Sequence, residues 1–507
     1  MTNIDRPWTK ADLGLGERVS LLMAEMTLPE KVAQLGSARP TSGTVIAAPG
    51  EEVFAHEQAG YEEGTKDGLG QLTRVLGSRP IEPVEGARRL AELQADLISR
   101  TRLGIPAMAH EECLSGFTTY RATIFPTPLA WAASFDPALV ERMARAIGEG
   151  MVAVGVRQGL APVLDVVRDH RWGRVEETLG EDPYLVGIMA CAYVTGLQGA
   201  GVIATLKHFA GYSASRAGRN NAPVSMGPRE LRDVILVPFE MAVTLADAKS
   251  VMHAYNEIDG VPAASNTWLL TEMLRGEWGF DGVVVSDYWG IPFLATTHGV
   301  AANDAAAGRL ALAAGVDVEL PGTRCFGPDL VAAVERGEVP LALVDRAVRR
   351  VLLQKAEVGY LDAEPPVSLA ADDSELDTPI TRQIARELAS ESVVLLKNLD
   401  GILPIDPQVG RIAVIGPCAD DPAALFGCYS FPHHVLERFP GHDFGVVAAS
   451  VLDGLREHLD PSQIIHAQGC HISAPDTTDI PGAVDLASSS DLAILVVGDR
   501  AGLFGTG

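Results

Sequence analysis

The chain has 507 residues, 47% hydrophobic and 21% charged, a globular composition long enough for a barrel and a further domain. Its formal net charge of −26 would repel a polyanion, which argues against a nucleic-acid partner and leaves a neutral substrate unaffected. No signal-peptide core follows Met1, no run approaches the roughly 18 apolar residues of a membrane span, and the six cysteines lack CxxC spacing, so a cytoplasmic protein with reduced thiols is expected.

From about residue 20 to 360 one pattern recurs: an amphipathic helical stretch, a Gly or Pro break, then a short apolar run ending in polar residues. The helix 84–100 leads to a strand at 105–109, 136–154 to 159–164, and 184–198 to 202–206. The helix 228–246 leads to 250–254, 267–278 to 282–286, and 304–314 to 316–320. Such alternation predicts βα units around a parallel sheet. Six or more in series favour closure into an α/β fold of the (β/α)8 TIM-like barrel type over residues 1–360. A doubly wound open sheet is the alternative.

Residues 361–385 are rich in Pro and Asp and read as an interdomain linker. Residues 386–507 read as a partial α/β sandwich domain, with strands at 411–416, 463–466 and 491–498 and helices near 446–458 and 481–489. The sequence stops at Gly507, soon after the last of these strands, so this second domain is expected to be incomplete.

In barrels the chemistry gathers where strands end and βα loops begin. Here the strand runs end on Glu111-Glu112, Asp165 with Arg168, Lys207-His208, Tyr255-Asn256, Asp287 and Glu319. So many polar groups on one rim point to catalysis or polar binding. Asp287 follows three valines and precedes Tyr288 and Trp289, a carboxylate beside rings that could stack on a pyranose. It could equally cap the next helix.

Lys207 and His208 are costly to bury without anions or a polar ligand. Three uses stay open for them: holding sugar hydroxyls, a Schiff-base lysine, or a structural ion pair. The stretch Arg168-Asp-His-Arg-Trp-Gly-Arg174 precedes Glu176, Glu177, Glu181 and Asp182. Arg171 and Arg174 are expected to pair within this network, leaving the strand-end Arg168 to grip ligand oxygens. His110-Glu-Glu-Cys113 lacks the second His of HExxH, so no metal is expected there, and Glu112 is better used on sugar hydroxyls. With no Walker A pattern and no GxGxxG after a strand, no cofactor is expected.

Together these segments resemble glycoside hydrolase family 3, the β-glucosidase and β-xylosidase family. The likeness rests on His110-Glu-Glu-Cys-Leu114, Ala122-Thr-Ile-Phe-Pro126, Arg168–Arg174, Gly180-Glu-Asp-Pro183, Lys207-His-Phe-Ala-Gly211, Met252-His-Ala-Tyr-Asn256 and Val285-Ser-Asp-Tyr288, in the family's order. The resemblance implies that Asp287 is the nucleophile of a retaining exo-β-glycosidase, and that Glu112, Arg168, Lys207, His208, Met252 and Tyr255 line the pocket for the terminal sugar. It implies a substrate that is a small oligosaccharide or aryl glycoside ending in β-D-xylose or β-D-glucose. Membrane and nucleic-acid partners are not expected, and homo-oligomerisation stays open.

The general acid of this family usually sits on a loop of the second domain. Val496-Val-Gly-Asp-Arg-Ala-Gly-Leu-Phe504 resembles the lead-in to it, which places the acid beyond Gly507. The loop Tyr212–Arg219 has no His to act as the acid used by one family branch, and Asp499 is a weak substitute. The other reading is therefore a truncated, non-catalytic sugar-binding barrel lacking its general acid.

Overall fold

A computed structural model of the chain describes residues 6–40, 61–367 and 375–502. Seven short parallel strands lie side by side in chain order: β1 Ser37–Ala38, β2 Gln71–Thr73, β3 Met108–Glu111, β4 Gln158–Gly159, β5 Ile203–Phe209, β6 Ser250–His253 and β7 Val283–Val285. Residues 316–320 close the ring. The Ser286 N–H donates to the Val318 carbonyl at 2.8 Å, and the Glu319 N–H donates to the Leu35 carbonyl at 2.9 Å. A curled parallel sheet with helices outside is thus the barrel-type α/β fold expected.

The strands are buried on both sides, as in β5 and β7, where every residue is buried. Helices start where the sequence caps them. Asp136 and Asp182 accept from the N–H of Leu139 and Leu185, each followed by a proline at the first helical position. The stretch expected as one helix over 228–246 is broken into Pro228–Glu230, a π-turn at Leu231–Ile235, and Val237–Thr244. Pro238 has no N–H for a regular ladder, which accounts for the change of pitch.

A second, three-stranded parallel sheet is built from β8 Ile412–Ile415, β9 Ile464–Ala467 and β10 Leu492–Leu495, with β8 in the middle. The stretch expected as a linker, 361–385, behaves differently in its second half. A helix begins at Pro379, and Leu376, Ile384 and Leu388 are buried in the same core as the barrel. Apolar residues at this spacing form one helical face, and the barrel covers it. Residues 368–374 of that stretch lie outside the described residues.

Between β8 and β9 the chain runs back over the barrel. The Thr118 hydroxyl donates to the Tyr429 carbonyl at 2.9 Å, the Cys428 N–H to Glu176 at 2.9 Å, and the Tyr120 hydroxyl to Asp443 at 2.6 Å. Among the described residues no helix is long and apolar enough to cross a membrane.

Candidate active site

Asp287 stands just past β7, where the backbone turns sharply. Trp289 adopts a left-handed φ of 62° and its N–H donates to the Leu320 carbonyl at 2.9 Å. At Gly290 a Cβ would meet the His253 ring at 2.6 Å, so only glycine lets the turn pack this closely. One Asp287 oxygen, Oδ1, accepts the Tyr288 N–H at 2.7 Å. The other, Oδ2, is buried with no hydrogen-bond partner among the described residues. The Nε2 of His208 lies 3.8 Å from it.

The groups around this oxygen come from neighbouring strand ends. Lys207 lies two residues before the end of β5 and donates to Glu112 at 2.9 Å, a pair buried at both ends. The His208 Nδ1 meets Asp165 at 2.8 Å, so the carboxylate holds the ring with its proton on that nitrogen. Nε2 then faces Arg174 at 3.1 Å as an acceptor, and burial beside Arg174 and Lys207 keeps the ring neutral, well below its usual pKa. Tyr255, buried after β6, donates to the Tyr288 carbonyl at 2.8 Å. Met252 is buried on β6, paired with Val285 two residues before Asp287.

Arg168 is not brought into this cluster, which corrects the expectation from its place at a strand end. Its guanidinium points outward to Glu230 at 3.0 Å, and its side chain is 42% exposed. The physical cause is the turn that follows. The Asp169 carboxylate accepts the Arg171 N–H at 3.0 Å, and the chain folds back so that Trp172 and Arg174 enter instead. Arg174 forms a two-pronged pair with Glu177 at 2.8 and 2.7 Å, as the network reading expected, but it also faces the cluster. Its Nη2 lies 3.1 Å from His208 and 3.3 Å from the Tyr429 hydroxyl.

Other rim groups have local duties. Glu111 accepts the N–H groups of Leu76 and Gly77, and Glu319 accepts those of Arg324, Cys325 and Phe326, so both carboxylates pin loops. His110 is held between Gln71 at 2.7 Å and the Tyr288 hydroxyl at 3.1 Å. Asn256 donates to the Ala210 carbonyl at 3.3 Å. Three residues absent from the sequence-based expectation complete the site's wall. Tyr429 and His434 stack with ring centroids 4.7 Å apart, and Arg74 meets His434 at 2.9 Å. No local sequence signal marks them, because they meet the rim only through long-range folding.

Burial pushes the Asp287 carboxyl up to about 6. Arg174, Lys207 and the Tyr288 N–H oppose this and limit the rise. A carboxyl at about 6 in the fold, against 3.8 as its ordinary value, binds its proton more tightly in the native state. Stability therefore falls as pH rises from about 4 to about 6 and stays lower above that. Asp287→Asn removes this cost. The variant is expected to be more stable than the parent at pH about 7.5 by about 2–3 kcal/mol, and equal to it near pH about 3.5. Thermal or urea unfolding at the two pH values measures this, and equal stability at both would count against the ionisable, buried Asp287 described above.

The chain matches the family model "Glycosyl hydrolase family 3 N terminal domain" over residues 27–353 and "Glycosyl hydrolase family 3 C-terminal domain" over 393–505. It is 37% identical to a beta-xylosidase of Formosa agariphila over 81% of this chain and 59% of that protein. It is 31% identical to a periplasmic beta-glucosidase of Salmonella typhimurium, over 96% of this chain and 62% of the relative. Among solved structures, a β-glucosidase from Erythrobacter marinus aligns with a TM-score of 0.85 at 32% identity, covering 98% of this chain and 67% of that one. A β-glucosidase from Listeria innocua in complex with glucose aligns at 0.83 and 32%, over 97% of this chain and 65% of its own. The chain spans about three fifths of the length of these curated relatives.

Proposed function

The chain belongs to glycosyl hydrolase family 3, and from that premise we propose that it is a retaining exo-β-glycosidase releasing terminal β-D-xylose or β-D-glucose, with Asp287 as nucleophile. One observation carries the assignment of Asp287. It is a buried carboxylate with one oxygen pinned by the Tyr288 N–H and the other unpartnered among the described residues. Buried polar atoms are rarely left unpaired without a functional reason. In this reading Glu112, Lys207 and His208 hold the sugar's hydroxyls, Met252 and Tyr255 line the same pocket, and Arg174 takes the role first expected of Arg168.

Asp287 attacks the anomeric carbon and expels the leaving group through an oxocarbenium-like transition state. A covalent glycosyl ester forms, and water then opens it with net retention. The same scheme needs a second carboxyl group as proton donor. The described carboxylates near Asp287 are engaged: Glu112 by Lys207, Asp165 by His208 and Glu177 by Arg174. We therefore place the proton donor outside the described residues. A cytoplasmic setting belongs to the same proposal, and its support is that all six cysteines are free thiols.

The test uses a dinitrophenyl fluorosugar, whose leaving group departs without a proton. Incubation with the xylosyl and glucosyl reagents is expected to add one fluorosugar to the chain by intact mass, with the label on Asp287. The labelling rate should rise with pH through about 6, as the carboxyl ionises. Absence of label with both reagents, alongside measurable sugar binding, would replace this reading with a binding function. Turnover of an unactivated disaccharide by the chain would show that the proton donor is already among these residues.

A further inference from the structure

Tyr429 comes from the segment between β8 and β9, yet it is 6% exposed and sits against the groups around Asp287. Its backbone is tied to the barrel by Thr118, and the N–H of its neighbour Cys428 by Glu176. Its ring stacks on His434, tilted by 23°, and Arg74 donates to the Nε2 of that imidazole. The Nζ of Lys207 lies 4.8 Å from the ring centroid, and the hydroxyl lies 3.3 Å from Arg174 Nη2. Both cations that act on Asp287 therefore touch one side chain.

We infer that Tyr429 is a positioning residue, whose ring face and hydroxyl together hold Lys207 and Arg174 where both act on the Asp287 carboxylate. The inference rests on Asp287 being the nucleophile. Each cation has a carboxylate partner of its own, Glu112 or Glu177, which competes with Asp287 for it. A lysine ammonium on a four-carbon stem is free to follow such a pull. An aromatic face beneath it supplies a second attraction, and the rigid stack on His434 fixes where that face is. The Tyr429 hydroxyl does the same for Arg174, whose other faces meet the rings of Trp172 and Tyr212.

The charged and titratable groups facing the pair are few. Asp287 faces Arg174, Lys207, His208, Tyr212 and Tyr255, and Tyr429 faces Glu112, Glu177, Cys428 and His434 besides Arg174 and Lys207. If either cation moves outward, the Asp287 carboxylate loses favourable charge and its ionisation shifts to higher pH.

The experiment measures fluorosugar labelling of the full chain against pH by intact mass, for the parent, Tyr429→Phe and Tyr429→Leu. In the Leu variant the rise of rate with pH should move up by about half a pH unit or more, and the rate at pH about 6 should fall about twofold or more. The Phe variant keeps the ring face and should lie between. A rise that stays at the parental pH in both variants, whatever the amplitude, assigns Tyr429 a merely structural role and overturns the inference. Should the Leu variant fail to fold, the Phe variant decides alone, since losing the contact to Arg174 must still move the rise upward. A parent that is not labelled, or is labelled away from Asp287, removes the nucleophile and this inference with it.

Discussion

Replacing Asp287 with Ala is expected to abolish covalent trapping by a fluorosugar and to cut turnover of activated aryl glycosides by on the order of 10⁴-fold or more. The fold should survive. Asp287 donates nothing to the packing of β7, whose valines are fully buried without it. Among the described residues the hydrogen bond lost is the one from the Tyr288 N–H, worth about 1–3 kcal/mol if that group is left unpaired. Burying the carboxylate is itself unfavourable, as its raised pKa records, so truncation recovers part of that loss. The measurement is intact mass after incubation, beside circular dichroism and a melting curve for the variant. A fully labelled Ala variant would remove Asp287 from the mechanism. An unlabelled variant that binds sugar with parental affinity would locate the loss in the chemical step.

Much of this arrangement was legible in the chain. The strands β3, β5, β6 and β7 and the closing segment 316–320 announce themselves as apolar runs between amphipathic helices, while β4, Gln158–Gly159, shares a single residue with the run expected at 159–164. The first two strands were not, for a physical reason. β1 is two residues long and β2 is three, and Gln71 and Thr73 carry polar side chains in a fully buried strand. Gln71 is satisfied there by Gln158 and His110, contacts that no local pattern reveals. The second sheet's three strands were placed to within a few residues, because each is an isolated β-branched or leucine-rich run.

The site was legible only where strand position decides orientation. Glu112, Tyr255 and Asp287 come within two residues after a strand end, Lys207 and His208 lie in the last residues of β5, and the structure gathers them. Arg168 also follows a strand run, but a short turn at Asp169 intervenes and hands the inward position to Arg174. Tyr429 and His434 belong to a stretch, Cys428-Tyr-Ser-Phe-Pro-His-His434, that reads as an ordinary loop and short helix. Their place depends on how the segment between β8 and β9 settles on the barrel, which no periodicity encodes.

The two arginines provide the sharpest contrast in expected effect. Arg174→Met removes the only described cation paired with Glu177, a carboxylate with no exposed side-chain surface. Breaking a buried pair from one side strands a charge, and a loss of about 3–5 kcal/mol in unfolding free energy is expected. Arg168→Ala breaks a half-exposed pair with Glu230 and should change stability by no more than about 0.5 kcal/mol. Stability alone does not separate a structural arginine from one that serves Asp287. The double variant Arg174→Met with Glu177→Leu does, since replacing both members with apolar side chains of similar volume should recover most of the lost stability. Fluorosugar labelling of that variant near pH about 6 should still be slower than the parent by on the order of 10-fold or more, because the cation that most opposes the burial of Asp287 is gone. Urea midpoints for the three variants, read beside their labelling rates, distinguish the roles. Parental labelling in the stabilised double variant would confine Arg174 to structure, and a slow Arg168→Ala would return the strand-end arginine to the site.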